Sequence, residues 1–345
     1  MSTITYSEAA KQAIVEEMRS NPRVFVMGQD VQTGAYADAM REFGPERVRN
    51  TPICEAGFYG AGIGAALTGM RPVIEAAFST FFYSAMDQLA NQAAKSRYMF
   101  GGQASVPLVI RATVAYSVAL AAHHSDRPWG LFAQVPGLKI IVPTTPRDAK
   151  GLLKSAIRDG NPVLCFDDGT VSGVRGEVPE GDYTIPLGVA EIKCHGADVT
   201  IVALGGAVHH SLAAAKKLEV EGISAEVVDL RSVVPLDRRT IIESVKGTGR
   251  LVVVDSGPRT CSVASEVAAT VAENAFEWLQ APIVRLTAPD VPVPFSPALE
   301  RLMYPTAESI ATAARKLCAG QSIDRVDEFG IDEKLLATAR YGSAP

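Results

Sequence analysis

The sequence predicts two α/β domains, the first built on a mostly parallel sheet. Three observations carry this prediction. The length, 345 residues, is about twice that of one domain. Short apolar runs alternate with helix-length stretches through both halves. Between the halves, Asp167 to Tyr183 is rich in Gly, Asp and Pro and poor in periodic apolar residues, as a connection would be. Hydrophobic residues at 47% and charged residues at 21% belong to a packed, soluble chain and exclude a disordered or collagen-like one.

The first 21 residues alternate apolar and charged side chains at helical spacing. Glu16 and Glu17 fall where a signal peptide needs unbroken apolar character, so this segment predicts a helix. Arg23 to Met27 is an apolar strand ending at Gly28, Gly60 to Leu67 a helix of small residues, and Arg71 to Glu75 the next strand. Ala85 to Tyr98 reads as a helix, Val106 to Arg111 and Leu138 to Val142 as strands, and Pro146 to Arg158 as another helix. Strands that are apolar without alternation are buried on both faces, which is the habit of parallel sheets. Beyond the connection, Asp198 to Leu204, Ser224 to Leu230 and Arg250 to Asp255 predict strands, separated by helix-length stretches such as Ser211 to Glu219. The expected bounds are a first domain over 1–180, its linker starting near 167, a smaller α/β domain over 184–318, and a polar extension over 319–345. No internal repeat is present.

Thirty-three Lys and Arg against 38 Asp and Glu give a formal charge of −5, so no positive field draws the chain to nucleic acid or an anionic membrane. No apolar run reaches the roughly 18 residues of a bilayer span. The five cysteines, Cys54, Cys165, Cys194, Cys261 and Cys318, are odd in number and never spaced Cys-x-x-Cys. That excludes a disulfide framework and a zinc knuckle, and predicts a reducing, cytoplasmic setting.

Chemistry concentrates in a few places. Glu55 stands among Ile53, Cys54, Ala56, Gly57 and Phe58 at the start of the small-residue helix. Desolvation there would raise its proton affinity and suit it to a general acid or to a hydrogen bond with a ring nitrogen. The alternative is an acid interacting with the helix dipole. Gly60-x-Gly62-x-x-Ala65 matches a relaxed dinucleotide fingerprint without the buried strand that should precede it; the other reading is close helix packing. Phe78, Phe81, Phe82 and Tyr83 form either core or a platform for a flat heterocycle. The polar segment Ala121 to Pro128 lies between apolar stretches, as active-site loops do. In it His124, Ser125 and Asp126 are consecutive, so their side chains diverge and cannot form a nucleophilic triad. Neither histidine pair has a third ligand at zinc spacing. A single catalytic histidine fits better.

Taken together, several strings resemble one family. They are Gly28-Gln-Asp-Val31, Phe43-Gly-Pro-Glu-Arg-Val48, Thr51-Pro-Ile-Cys-Glu55, Asn91-Gln-Ala-Ala-Lys95, Arg97-Tyr-Met-Phe-Gly-Gly102, Pro136-Gly-Leu-Lys139, Asp148-Ala-Lys-Gly-Leu-Leu153 and Asp229-Leu-Arg231. The chain resembles the beta subunit of thiamin-diphosphate-dependent 2-oxo acid dehydrogenases from about Tyr6 to Leu317. Val199 to Gly205, Thr248 to Asp255 and Pro294 to Glu300 are most similar to the acetoin dehydrogenase branch.

The resemblance implies a transketolase-like fold, with a pyrimidine-binding domain followed by a transketolase C-terminal domain. It implies an E1-type beta subunit that cleaves a 2-oxo acid or acetoin and passes the acyl group to a lipoyl carrier or another acceptor. Glu55 falls at the glutamate that bonds the aminopyrimidine of thiamin diphosphate, Phe81 at the aromatic packed on that ring, and His124 at the active-site histidine. The diphosphate and magnesium belong to an alpha subunit with a Gly-Asp-Gly motif, absent from this chain, in an assembly of two alpha and two beta chains that can engage a lipoyl acyltransferase core. A potassium site is implied on Leu108, Ala156, Ile157, Asp159 and Asn161. The chain departs from the family's His-Ser-Gln-Ser with His124-Ser-Asp126-Arg127, and from its Gly-containing lead-in over Thr113 to Leu120. Gln29 replaces a usual acid, and Ser256 follows Asp255 where glutamate is common. The rewritten histidine loop leaves open an alternative: a catalytically altered or non-catalytic scaffold subunit of the same fold.

Overall fold

The N-terminal residues fold because a strand and a helix cap follow one another. Residues 1–116 and 119–321 are described by the computed structural model. Strand β1 (Ser2–Thr5) leads into helix α1 (Tyr6–Ser20), where Thr5 and Glu8 form a reciprocal capping box. Tyr6, Ala9, Ala10, Ala13, Ile14 and Met18 make its buried stripe. Then come β2 (Val24–Gly28), α2 (Ala37–Phe43), β3 (Val48–Asn50), α3 (Glu55–Leu67) and β4 (Arg71–Phe78). A 3-10 turn over Ser79–Ala85 and a π-helical turn over Gln88–Ala93 precede α4 (Ala94–Met99), β5 (Val109–Val114), α5 (Ala122–Ser125), α6 (Trp129–Ala133), β6 (Lys139–Ile141), α7 (Pro146–Arg158), β7 (Val163–Asp168) and β8 (Arg175–Val178). The remainder contains β9 (Glu191–Cys194), β10 (Val199–Ala203), α8 (Ala207–Val220), β11 (Ala225–Asp229), β12 (Ser232–Val234), α9 (Arg238–Thr248), β13 (Leu251–Pro258), α10 (Val263–Asn274), β14 (Val284–Ala288), α11 (Pro297–Glu300) and α12 (Ala307–Cys318).

The chain divides into two units. The first comprises Met1–Ala115, Leu131–Gly188 and Ser232–Pro235, and the second Tyr116–Gly130, Val189–Arg231 and the chain from Leu236 onward. The first holds a seven-stranded sheet in the order β12-β6-β7-β5-β4-β2-β3, parallel except for the antiparallel edge strand β12. The fully buried strand β2 bears out the expectation of strands apolar on both faces, and β7, equally buried, lies where no strand was expected and ends in two aspartates. α1 and α7 cover one face; Ala149, Leu152, Leu153, Ala156 and Ile157 of α7 share a core with the buried stripe of α1. The second unit holds a five-stranded sheet, β14-β13-β10-β11-β9, parallel except for β9. Its core is formed by the strands together with α8 and α12.

Several elements differ from the sequence expectation. The tract after Asp167 is not irregular throughout, because β8 within it pairs antiparallel with β1. The first residues are therefore strand before helix: their backbone groups are satisfied by a partner at least 170 residues away, a contact that local periodicity cannot register. The strand expected over 106–111 lies at Val109–Val114, and the helix expected over 85–98 is split by the π-helical turn. Of the expected extension, residues 322–345 lie outside the described residues, as do Ser117 and Val118 in the lead-in to the histidine loop. Among the described residues no helix is long and apolar enough to cross a membrane.

Candidate active site

In the first sheet the chain runs from β2 outward to β3 and then returns to β4 on the other side of β2. That reversal is a topological switch point, where the carboxyl ends of neighbouring strands leave a crevice. Three segments depart from it: Gly28-Gln29 after β2, Thr51 to Glu55 after β3, and Phe78 to Phe81 at the end of β4. Strands β2 and β4 approach closely there, since a Cβ on Gly28 would lie 2.5 Å from the Glu75 carbonyl oxygen.

Glu55 is the first residue of α3, and the preceding Cys54 makes no side-chain cap bond. The carboxylate therefore starts the helix, where unpaired N–H groups favour negative charge. It is half-buried. The expected desolvation by its sequence neighbours is only partial within this chain: Ile53 is 72% exposed and Cys54 is exposed. Cover comes instead from the helix's next turn. Tyr59 is four residues on and fully buried, and helical side chains lean toward the N-terminus, which aims it back over Glu55. Burial, with a smaller contribution from the Glu55 charge, pushes the Tyr59 phenol well above its ordinary range. Among the described residues its hydroxyl finds no hydrogen-bond partner, nor does the buried Oγ1 of Thr51. A buried unpaired hydroxyl costs about 1–3 kcal/mol. Tyr59→Phe is accordingly expected to leave the thermal midpoint of the unliganded chain unchanged or higher; a clear drop in that midpoint would contradict the unpaired state.

The aromatic cluster separates into two roles. Phe82 is core, in contact with Tyr59 (6.2 Å between centroids), Phe132 (5.5 Å) and Phe166 (5.4 Å). Phe81 is half-buried and meets Phe78 edge-on at 5.8 Å, on the 3-10 turn against which α3 packs. The fold thus draws the Glu55 helix and the Phe81 turn together at one sheet edge. A carboxyl group, an aromatic side chain and two orphaned hydroxyls form a donor set suited to a flat nitrogen heterocycle. The glycine cluster serves packing: a Cβ on Gly62 would lie 2.5 Å from Ile74 Cδ1, so α3 sits directly on β4.

His124 is half-buried on the short helix α5, in the segment that belongs to the second unit. Ala119 and Ala121 before it adopt φ of 55° and 56°, left-handed values that non-glycine residues hold only where surroundings enforce them. After it, Arg127 is buried and donates to the Ser125 carbonyl (2.9 Å) and the Tyr304 hydroxyl (2.7 Å). Trp129 Nε1 donates to Asp255 at 3.0 Å. Burial raises the Asp255 pKa, opposed by bonds from the Gly257 amide, Trp129 and the Ala264 amide. Tyr59, Trp129 and Asp255 were not among the residues singled out by spacing or motif as site members.

Leu108, Ala156, Ile157, Asp159 and Asn161 gather where the end of α7 meets the start of β5. Two of the carbonyls, of Ile157 and Asp159, already accept from Arg71 Nη1 at 2.6 and 2.9 Å. The Asp159 carboxylate pairs with Lys139 at 2.5 Å and receives both nitrogens of Asn161, and its pKa is lowered by these partners against the cost of burial. Among the described residues no group of three His, Cys, Asp or Glu could hold a metal ion.

A parallel sheet with a switch point, followed by a second α/β unit, is the plan of a transketolase-type chain. The model of the transketolase pyrimidine binding domain matches residues 2–167, and that of the transketolase C-terminal domain residues 188–310. The chain is 45% identical to the beta subunit of acetoin:2,6-dichlorophenolindophenol oxidoreductase from Bacillus subtilis, covering 91% of this chain and 97% of that protein. It is 44% identical to the pyruvate dehydrogenase E1 component beta subunit of Rhizobium meliloti (92% and 70%) and 43% identical to the 2-oxoisovalerate dehydrogenase beta subunit of B. subtilis (92% and 99%). A solved split-gene transketolase, described as an inactive beta4 tetramer, superposes with a TM-score of 0.76 at 28% identity, covering 92% of this chain and 99% of that one. The chain belongs to the family of beta subunits of the 2-oxo acid and acetoin dehydrogenases.

Proposed function

We propose that this chain is the beta half of a thiamin-diphosphate-dependent E1 enzyme that cleaves acetoin or a 2-oxo acid and hands the acyl group to a lipoyl carrier or another acceptor. The observation that carries the reading is the packing of the helix that Glu55 opens against the Phe81 turn, beside the switch point of the first sheet. Thiamin diphosphate, when bound, supplies a carbanion nucleophile and an electron sink. Glu55 holds a proton against a pyrimidine nitrogen and so sets the ring's tautomer. Phe81 packs on that ring. His124 carries a proton at the substrate-derived oxygen, a task for which an imidazole has both a donor and an acceptor nitrogen.

The diphosphate and its magnesium require a second polypeptide, an alpha subunit, in an assembly of two chains of each kind. Exposed apolar side chains support such a partner: beside Ile53, Tyr98 is 87% exposed, Met99 73% and Phe100 58%. The free cysteines fit a reducing cytoplasm. Potassium would use the second lone pairs of the Leu108, Ala156, Ile157 and Asp159 carbonyls, with Asn161 closing the turn. Because Arg71 already brings positive charge there, the ion's contribution is small: exchanging potassium for tetramethylammonium should lower the thermal midpoint measurably, and Arg71→Met should enlarge the difference. An identical midpoint in both salts and both chains would remove potassium from the account.

The decisive reconstitution joins this chain to the alpha chain that carries Gly-Asp-Gly with a downstream asparagine. Dye reduction that needs thiamin diphosphate and one of acetoin, pyruvate or a branched-chain 2-oxo acid supports the reading. A stable complex with no such turnover on any of them would instead leave a scaffold subunit.

A further inference from the structure

The segment after His124, the part of the chain that departs from the family's usual string, is tied down at three points within the second unit. Arg127 is 5% exposed. Its Nη1 bonds the carbonyl of Ser125, the residue next to His124, and the hydroxyl of Tyr304, which is 177 positions away in sequence. Its guanidinium lies 4.0 Å over the Tyr304 ring and 5.9 Å from the Tyr116 ring, so Nη1 and the face of the group are both engaged. Trp129 is fixed through Nε1 to the fully buried Asp255, whose other bonds come from the amides of Gly257 and Ala264. Gly130 lets the backbone continue against the next turn, since a Cβ there would lie 2.9 Å from the Cys261 carbonyl oxygen. Upstream, Ala119 and Ala121 are held in left-handed backbone conformations.

A sequence drifting from function has no reason to bury a guanidinium and an indole on specific partners just beyond the histidine; burying a charge without good partners is unfavourable. We infer that Arg127 is a positioning residue which, clamped between the Ser125 carbonyl and Tyr304, holds the histidine loop so that His124 meets the substrate-derived oxygen. The inference rests on the proposed role of His124. Arg127 itself need not touch substrate: it acts by fixing the backbone at Ser125, and Trp129 with Asp255 anchors the far side of the same loop. A loop displacement of about 1 Å at a reacting group can cost on the order of a hundredfold in rate.

The test is a double-mutant cycle in the assembled alpha–beta enzyme, using His124→Ala, Arg127→Met and the pair, with dye reduction as readout. The expected result is a fall of about a hundredfold in kcat for Arg127→Met, with the KM for thiamin diphosphate within about twofold of wild type. The pair should be no slower than His124→Ala alone, because a residue acting through His124 has nothing left to position. Arg127→Lys, which keeps the charge and a donor for the Ser125 carbonyl, should recover part of the loss. A merely structural role gives a pair whose loss is the product of the single losses, and that result, or wild-type kcat in Arg127→Met, overturns the inference. If Arg127→Met does not assemble, Tyr304→Phe, which removes only the hydroxyl acceptor, takes its place in the same cycle. Unchanged turnover in His124→Ala with a slow Arg127→Met overturns the proposed role of His124 itself, so the two failures are told apart.

Discussion

Glu55→Ala is expected to lower thiamin-diphosphate-dependent turnover of the assembled enzyme by about 10²- to 10⁴-fold, the usual contribution of a positioned proton-transfer group. The carboxyl is the first residue of α3 and half-buried, so its removal leaves no cavity in the core and no broken cap. Assembly and the thermal midpoint should therefore stay close to wild type while the rate collapses. Glu55→Gln separates two parts of the role. It keeps the shape and can still hydrogen-bond a ring nitrogen, but it cannot share a proton, so it should be nearly as slow as alanine while binding the cofactor better. Equal rates for wild type and alanine in an intact complex would sink the assignment of position 55.

The largest stability effect is expected at Arg111. On β5 it faces Glu75 of β4 directly across the parallel pair, and Asp167 of β7 lies two positions beyond its own partner, Cys165. Arg111 pairs with Glu75 at 3.1 Å and with Asp167 at 2.5 Å, Tyr36 donates to Glu75, and Tyr6 donates to Asp167. One cation thus joins α1, the α2 approach and three central strands. Arg111→Met leaves two carboxylates without their counter-charge in a buried site, a class of change that costs about 3–5 kcal/mol. Burial raises the Asp167 pKa while Arg111 and the Tyr6 bond hold it down. The sign follows: removing Arg111 raises the folded-state value further, so the variant's native state binds a proton more readily than the unfolded chain. Its stability then falls as pH rises through that window and recovers on acidification. Denaturant unfolding should show a large deficit near neutral pH that shrinks as the pH is lowered toward the ordinary carboxylate range. A deficit below about 1 kcal/mol, or one independent of pH, would contradict this network.

What could be read from the chain depended on how far each contact reaches. The two-domain α/β plan, and strands β2, β10 and β11, were legible because apolar runs buried on both faces announce themselves locally. Pro146 to Arg158 was legible to the residue because Thr145 caps it and Pro146 opens it. The antiparallel edges were not. Ser232–Val234 is three residues long and pairs with a strand about ninety positions earlier, and Glu191–Cys194 joins β11 across an irregular register. Short edge strands of this kind carry little periodic signal. Glu55 stood out by its apolar neighbours, yet the buried residue that senses its charge is Tyr59, one helical turn further on. The partners of Arg127 and Trp129 lie well over a hundred positions away, so the loop read as an altered string and not as an anchored one.

The most direct measurement is a structure of this chain assembled with its alpha partner and thiamin diphosphate. A Glu55 carboxyl oxygen about 3 Å from a nitrogen of the aminopyrimidine, with Phe81 against the ring, is the predicted result. An aminopyrimidine seated elsewhere, or a Glu55 side chain facing water with the cofactor in place, would contradict it.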